Sequence, residues 1–585
     1  AEALRIWDHE LVLGDVVRVI RKFRPDVIIT RFPVPPGSGG HGQHTASAML
    51  AVEAFKLAGD PAAYPEQLAQ GLKLWSPKRV GWNAWGATTP LTGPTFAFDT
   101  GGADPVTGEP FATMANRSRA MHKTQGLGIF AARTGGAGPN QQTFLLLAGD
   151  APVQDIMDGV DTTWARVPGG AALIPLIDDA MAKFNPTDAA ASVPALLAIR
   201  TRLDALPTDP VVAEKRRDLD RIIATCLGLV VETTLPQAEV VAGEKLALHH
   251  EATVAAATPV RWVAVRYPAD KVELKIYRDL KSGESLDKDS SQTLPASTRI
   301  SQPYWLRKDG TPGVFQVDEP ALIGEPENPP VFPVEFVFEV AGQTLVVPDE
   351  PVQIIAGASE AQQRRRLAVI PPVSLGFAHE TELFTPAATK TVTVEVTASR
   401  SGANGDLRLD APKDWIVQPA KRAFALGRTG DKASLAFEVT APAAGASATL
   451  AAVAQVGSAS CFTERFAITY PHLPVQLLQR PAEAKVVALD VQTRGRRVGY
   501  LPGAGDSTAE TLGQLGYEVT TLTGADLTAD KLAGLDAVVI GVRAFNVRTD
   551  LAAALPGLFS GGESGGTVIA QYNRPSNRRC ATVGP

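Results

Sequence analysis

Residues 24–32 read Arg24-Pro25-Asp26-Val27-Ile28-Ile29-Thr30-Arg31-Phe32, and residues 39–47 read Gly39-Gly40-His41-Gly42-Gln43-His44-Thr45-Ala46-Ser47. The first stretch holds a short β-branched run of the kind that fills buried parallel strands. Before it, Leu11 to Ile20 carries apolar residues at helical spacing, and that helix is expected to end near Arg24-Pro25. After it comes a Pro/Gly loop, Pro33 to Gly40, and then Ala46 to Ala58, rich in good helix formers. Helix, strand, loop, helix is the grammar of an α/β domain. The loop at the strand's C-terminal end is where open α/β sheets place their ligands.

Working outward, Lys78 to Trp85 reads as a strand and Ala115 to Lys123 as a helix. Residues 170–228 are mostly helical, and Val211 to Cys226 has the charge alternation of an amphipathic helix. From about 229 the period changes to short alternating strands such as Val260–Val265, Val334–Val340, Thr391–Thr397 and Leu435–Thr440. This pattern is that of one or two β-sandwiches. They are split near 365, where Arg364-Arg365-Arg366 reads as a solvated linker. From about 484 strands and helices alternate again, with strands at Arg497–Leu501, Glu518–Leu522, Ala537–Gly541 and Thr567–Gln571. Four such strands imply a flavodoxin-like parallel sheet. The expected domains are therefore 1–228, 229–365, 366–483 and 484–585, a multidomain chain of α/β plus all-β modules.

Composition agrees with this count. A chain of 585 residues holds about four domains of roughly 150 residues each. It is 45% hydrophobic and 20% charged, which excludes a disordered or fibrous chain. A net charge of −6 gives no polybasic footprint, so no nucleic-acid partner is expected. No run of about 18 apolar residues occurs, so no transmembrane segment is expected. Cys226, Cys461 and Cys580 are too few and too scattered for a disulfide framework or zinc knuckle, and read as ordinary thiols. The chain opens on Ala1-Glu2-Ala3 without Met and stops at Val583-Gly584-Pro585 just after a strand-like run, so both ends are expected to be cut.

Of eight histidines, His41 and His44 form the one tight cluster. At a helix start, positions i and i+3 share a face, so both rings can point into one cavity. A neutral imidazole ligates zinc, and a second one nearby can stabilise an oxyanion or pass a proton. By spacing alone the signal is weak, and the plain alternative is a helix cap beside a surface histidine. His249 and His250 are adjacent on a strand, point to opposite faces and are given no metal role.

Residues 24–47 resemble the second half of the PIG-L/LmbE-like N-acetylglucosaminyl de-N-acetylases, and the resemblance extends over about residues 1–150. It implies a Rossmann-like fold and a single zinc, with His44 as the third zinc ligand. It also implies that His41 stabilises the tetrahedral intermediate or assists the leaving amine. Ser118-Arg119-Ala120-Met121-His122-Lys123-Thr124-Gln125 is similar to a further segment of these enzymes and makes His122 and Gln125 possible pocket residues. A helix-surface histidine and glutamine is the equal alternative. Trp82 or Trp85 could stack on a sugar; three residues apart on a strand, they point to opposite faces, and core packing is expected of at least one. The family's His-Pro-Asp-Asp motif, source of two zinc ligands and the general base, occurs nowhere in the chain. The expectation is a deacetylase domain that has lost that motif upstream.

Two further resemblances complete the organisation. Ala411 to Pro419, with Trp415 as a core anchor, resembles the NEW3-type, glycosidase-associated β-sandwich modules. The module at 484–585 resembles a class I glutamine amidotransferase-like or ThuA-like domain. It has no nucleophile-elbow cysteine, and Pro502 to Asp506 reads as a turn, not a phosphate loop. The expected activity is zinc-dependent removal of an acetyl group from an N-acetyl sugar or glycoconjugate, weak or absent in this stretch alone. The alternative is a non-catalytic glycan-binding or scaffolding protein. The sandwich modules associate with a periplasmic or secreted setting.

Overall fold

The computed structural model describes residues 2–35, 40–84, 87, 90–356, 363–470 and 472–574. Gly39, Trp85 and Cys580 lie outside the described residues. The chain is multidomain, with α/β regions at both ends and β-sheets between. It divides into two compact units, the first built from residues 1–238, 245–293 and 302–367, the second from the remainder. No described helix is long and apolar enough to cross a membrane.

The first unit begins with helices α1 (Glu2–Trp7) and α2 (His9–Phe23), strand β1 (Val27–Thr30) and helix α3 (Gly42–Leu57). Asp8 caps α2, its carboxylate accepting the Leu11 amide at 3.4 Å, and Arg24 closes it in the left-handed conformation. Leu13, Val17 and Ile20 form the apolar stripe of α2 and share a core with Leu50 and Ala54 of α3 and with Ala58 just after it. Each of the buried Leu, Val and Ile side chains contributes about 1.5–3 kcal/mol. Arg21, 1% exposed, lies beside that stripe. Its guanidinium donates to the carbonyls of Leu57, Ala58, Asp60, Ala63 and Tyr64 and to Gln67 Oε1, at 2.8–3.2 Å. It thereby satisfies carbonyls that the end of α3 would otherwise leave unpaired.

Strands β2 (Arg79–Asn83), β3 (Thr95–Asp99) and β4 (Gln141–Gly149) join β1 in a sheet of order β1-β2-β4-β3. Only β1 and β2 are parallel; β4 runs antiparallel to β2 and to β3. The helix expected at 115–123 starts earlier, at Phe111, and ends at Ala120, with a single tight turn at Lys123–Gln125. The amphipathic helix is Pro210–Leu227, capped by Asp209 and ended by left-handed Gly228.

Two sheets follow within the first unit. One orders Ser285–Thr293, Lys245–Thr253, Val230–Thr234, Val352–Ile355 and Gln363–Arg366; the other orders Gln343–Asp349, Val334–Val340, Val260–Tyr267 and Val272–Leu280. Trp262, Phe336, Phe338 and Tyr267 are fully buried by this packing. His250 bridges the sheets, its ring edge-on to Phe336 at 5.8 Å. The basic run read as a solvated linker is instead the edge strand Gln363–Arg366, antiparallel to Val352–Ile355. The reason is charge pairing: Arg364 meets Glu232, and Arg366 meets Glu327 and Glu350. Charged side chains also suit an edge strand by discouraging further pairing.

The second unit holds a four-stranded and a six-stranded sheet around one core that includes Val394, Leu407, Phe437, Leu450 and Val486. Trp415 is 5% exposed there and meets Phe384 edge-on at 5.1 Å. Cys461 lies in the same core, and burial pushes its thiol pKa up, as it does for Cys226 in the first unit. Beyond the sandwich, Glu518–Thr521, Arg497–Leu501, Ala537–Ile540 and Thr567–Ala570 lie in that order, every neighbouring pair parallel.

Candidate functional site

The β1 strand ends at Thr30, which is buried and donates its hydroxyl to the Phe32 carbonyl at 3.2 Å. The chain turns there, and it enters α3 at His41, the N-cap, whose backbone is extended (φ −117°, ψ 148°). His41 makes no side-chain cap hydrogen bond, while its carbonyl accepts the amides of His44 and Thr45 at 3.1 and 3.4 Å. The helical turn then brings the two imidazoles together, 5.1 Å between centroids and nearly perpendicular at 87°. His41 is exposed and His44 half-buried.

Phe32 was not singled out from the sequence, yet it stacks flat on His44, at 3.8 Å and 4°. The signal was available: an aromatic residue two positions after a strand and just before a loop can meet what that loop returns. Arg31 hydrogen-bonds Asn83 of β2, and Asn83 donates to Gln142 Oε1 at 3.2 Å, tying the strand ends together. Trp82 is half-buried on β2, in register with Thr30. Gly81 faces Ile29 and Phe96, so alternation puts Trp82 on the other face of the sheet.

The structure does not bring the other expected residues to this turn. His122 precedes the short Lys123–Gln125 turn without a side-chain cap bond, its Nδ1 lies 3.2 Å from the Arg119 carbonyl, and both His122 and Gln125 are exposed. Among the described residues no hydrogen bond or ring contact joins either of them to His41 or His44. Asp8, His9 and Glu10 are helix-start residues, with His9 held by Glu10 at 3.1 Å and Glu53 at 2.8 Å.

Chemically, the site is an imidazole pair at the positive end of a 16-residue helix, a setting that favours an anion or developing oxyanion. A hydrolytic zinc takes three protein ligands and a water. No group of three or more His, Cys, Asp or Glu among the described residues is placed to hold a metal. Two imidazoles alone do not complete a zinc site, so no step is derived through the metal.

No protein-family model matches the chain, and no curated protein matches it. Solved structures give remote likenesses. An E. coli alpha-2-macroglobulin is 12% identical, covering 45% of this chain and 17% of that one at a TM-score of 0.16. A family 123 glycoside hydrolase from Clostridium perfringens is 8% identical, covering 28% and 37% at 0.13. A Porphyromonas gingivalis protein of unknown function is 8% identical, covering 44% of this chain and 99% of that one at 0.12. At such TM-scores these likenesses say nothing about fold or activity.

Proposed function

We propose that residues 1–228 belong to a zinc-dependent de-N-acetylase acting on an N-acetyl sugar or glycoconjugate. The observation that carries the reading is the His41–His44 pair, two perpendicular imidazoles at the start of α3, just beyond a strand of the parallel pair β1–β2. On this reading His44 is a zinc ligand, its ring plane fixed by the flat stack on Phe32. His41, exposed at the N-cap, stabilises the oxyanion or gives a proton to the departing amine. Zinc, when bound with further donors, supplies a nucleophilic water at neutral pH and polarises the acetamide carbonyl.

The test uses the gene product with any sequence encoded before Ala1. Zinc content and acetate release from N-acetylglucosamine conjugates are measured before and after substitution. His44→Ala is expected to lose the zinc, and His41→Ala to keep it while acetate release falls about 10²–10⁴-fold. Unchanged zinc content in His44→Ala overturns the ligand assignment. A second reading, a glycan-binding protein without catalysis, is favoured by the incomplete donor set among the described residues. It wins if the unsubstituted protein releases no acetate.

A further inference from the structure

A second cleft in the first unit, of about 510 Å³, is lined by residues of α1, α2 and the 304–326 segment. That size falls within the roughly 300–1,000 Å³ of small-molecule sites. Trp7, Tyr304, Trp305 and Phe315 all line it, in a chain with only 6% aromatic residues. Tyr304 is the fixed member: it is 6% exposed, and its hydroxyl donates to the Glu325 carbonyl at 2.9 Å. Trp305 stands edge-on to it at 4.9 Å, and Phe315 presents a largely open ring. Neither the Trp7 nor the Trp305 indole N–H has a hydrogen-bond partner among the described residues. The acidic residues Asp15 and Glu325 complete the lining.

Three ligand chemistries suit aromatic walls, and the polar groups choose among them. A purely apolar ligand would strip water from Asp15 and Glu325 without replacing its hydrogen bonds. A cation would need uncompensated negative charge beside the rings. Here Glu325 is already paired with Lys22 at 2.6 Å, and Arg18 acts on Asp15. Crowding in the cleft pushes the Asp15 carboxyl above the ordinary aspartate range, against that pull from Arg18, although solvent still reaches it. A sugar ring offers what remains: apolar C–H faces for the aromatic rings, and hydroxyls for the carboxylates and indole N–H groups.

We propose that this cleft is a carbohydrate-binding site that seats one pyranose ring of an oligosaccharide. Its place in the fold extends the idea. The short helix α1 touches both regions: a Cβ at Gly42 would meet the Ala3 side chain at 3.5 Å, and Gly313 abuts the Ile6 carbonyl. Ala3 and Ile6 are separated by only about 4–5 Å along a helix axis. The cleft and the start of α3 are therefore both in contact with this one short helix. Sugar binding in the cleft does not depend on the de-N-acetylase reading.

The experiment follows tryptophan fluorescence and ligand-observed NMR while the chain is titrated with the β-1,4-linked tetramer of N-acetylglucosamine. Choline serves as the cationic control. Saturable binding of the tetramer is expected, weakened at least tenfold in Trp305→Ala and in Phe315→Ala. Because Phe315 is 63% exposed, its substitution leaves the fold intact and guards against a folding artefact at Trp305. His44→Ala is expected to retain tetramer affinity within about threefold, since its ring lies outside the cleft; this separates failure of the hydrolase reading from failure of the cleft. No saturable tetramer binding, binding indifferent to both aromatic substitutions, or saturation by choline alone overturns the proposal.

Discussion

His41 and His44 sit three residues apart on a helix start, whereas His249 and His250 are neighbours on a strand. The helical pair shares a face, and its imidazoles meet at 5.1 Å beside Phe32. The strand pair is split between two environments. His249 stays at the surface, 2.7 Å from Asp289. His250 is fully buried, held by Thr233 Oγ1 at 3.0 Å, Tyr267 Oη at 2.8 Å and Ser290 Oγ at 3.1 Å. The difference teaches that local periodicity, more than residue type, decides whether two histidines can act on one ligand. It also separates the settings: His250 has its ring nitrogens consumed inside a core, whereas His41 stands exposed to solvent at a helix start.

The sharpest way to break this contrast is to truncate each histidine. His250→Ala should cost about 3–5 kcal/mol, because it opens a cavity between the sheets and takes a partner from Thr233, Tyr267 and Ser290, leaving the last two to bond each other. Urea titration of the unfolding midpoint checks it, and a loss below about 1 kcal/mol would mean the network is not structural. Acid comes next. Burial pulls the His250 pKa from 6.5 down to about 4, with nearby His249 adding to the effect. Between those values the unfolded chain takes up a proton that the folded chain refuses, so stability falls as pH drops from 7 toward 4. The expected loss is about 3 kcal/mol. Asp349, whose carboxyl is pushed up by burial, titrates with the opposite sign and offsets part of it. The difference between the parent chain and His250→Gln across that range therefore isolates the histidine. Smallest of all, His44→Ala should cost about 1 kcal/mol for its stack on Phe32, and His41→Ala and His249→Ala about 0.5 kcal/mol or less. Thermal unfolding monitored by circular dichroism orders these three, and a large effect at His41 would make it a structural cap.

Much of the architecture could be read from periodicity. The alternation in Val334–Val340 places Val334, Phe336, Phe338 and Val340 inside, and the strand has those bounds. The bounds of Arg497–Leu501 in the C-terminal sheet match as well, there from a continuous buried run and not from alternation. What escaped reading was long-range charge. Arg364, Arg365 and Arg366 look like a solvated run until Glu232, Glu327 and Glu350 arrive from elsewhere in the chain to make a strand of them. At the candidate site the histidine turn was legible from its spacing and its position after a strand. Phe32 was not, because its partner lies across a loop. His122 and Gln125 show the converse: a local pattern says nothing about where a segment packs, and this one packs at the surface.

Arg21 carries a consequence for how this chain can drift in sequence. Five of its six acceptors are main-chain carbonyls. The exposed residues 60–62 can therefore exchange side chains without loosening the guanidinium, while Ala58 and Tyr64 are held by the core as well and position 21 does not accept lysine as an equivalent. Heredity in this region should be lopsided, with one fixed arginine answering a short stretch whose letters are free to wander. Anyone grafting the histidine turn into another scaffold would need to carry that arginine along, although it lies at the opposite end of the helix.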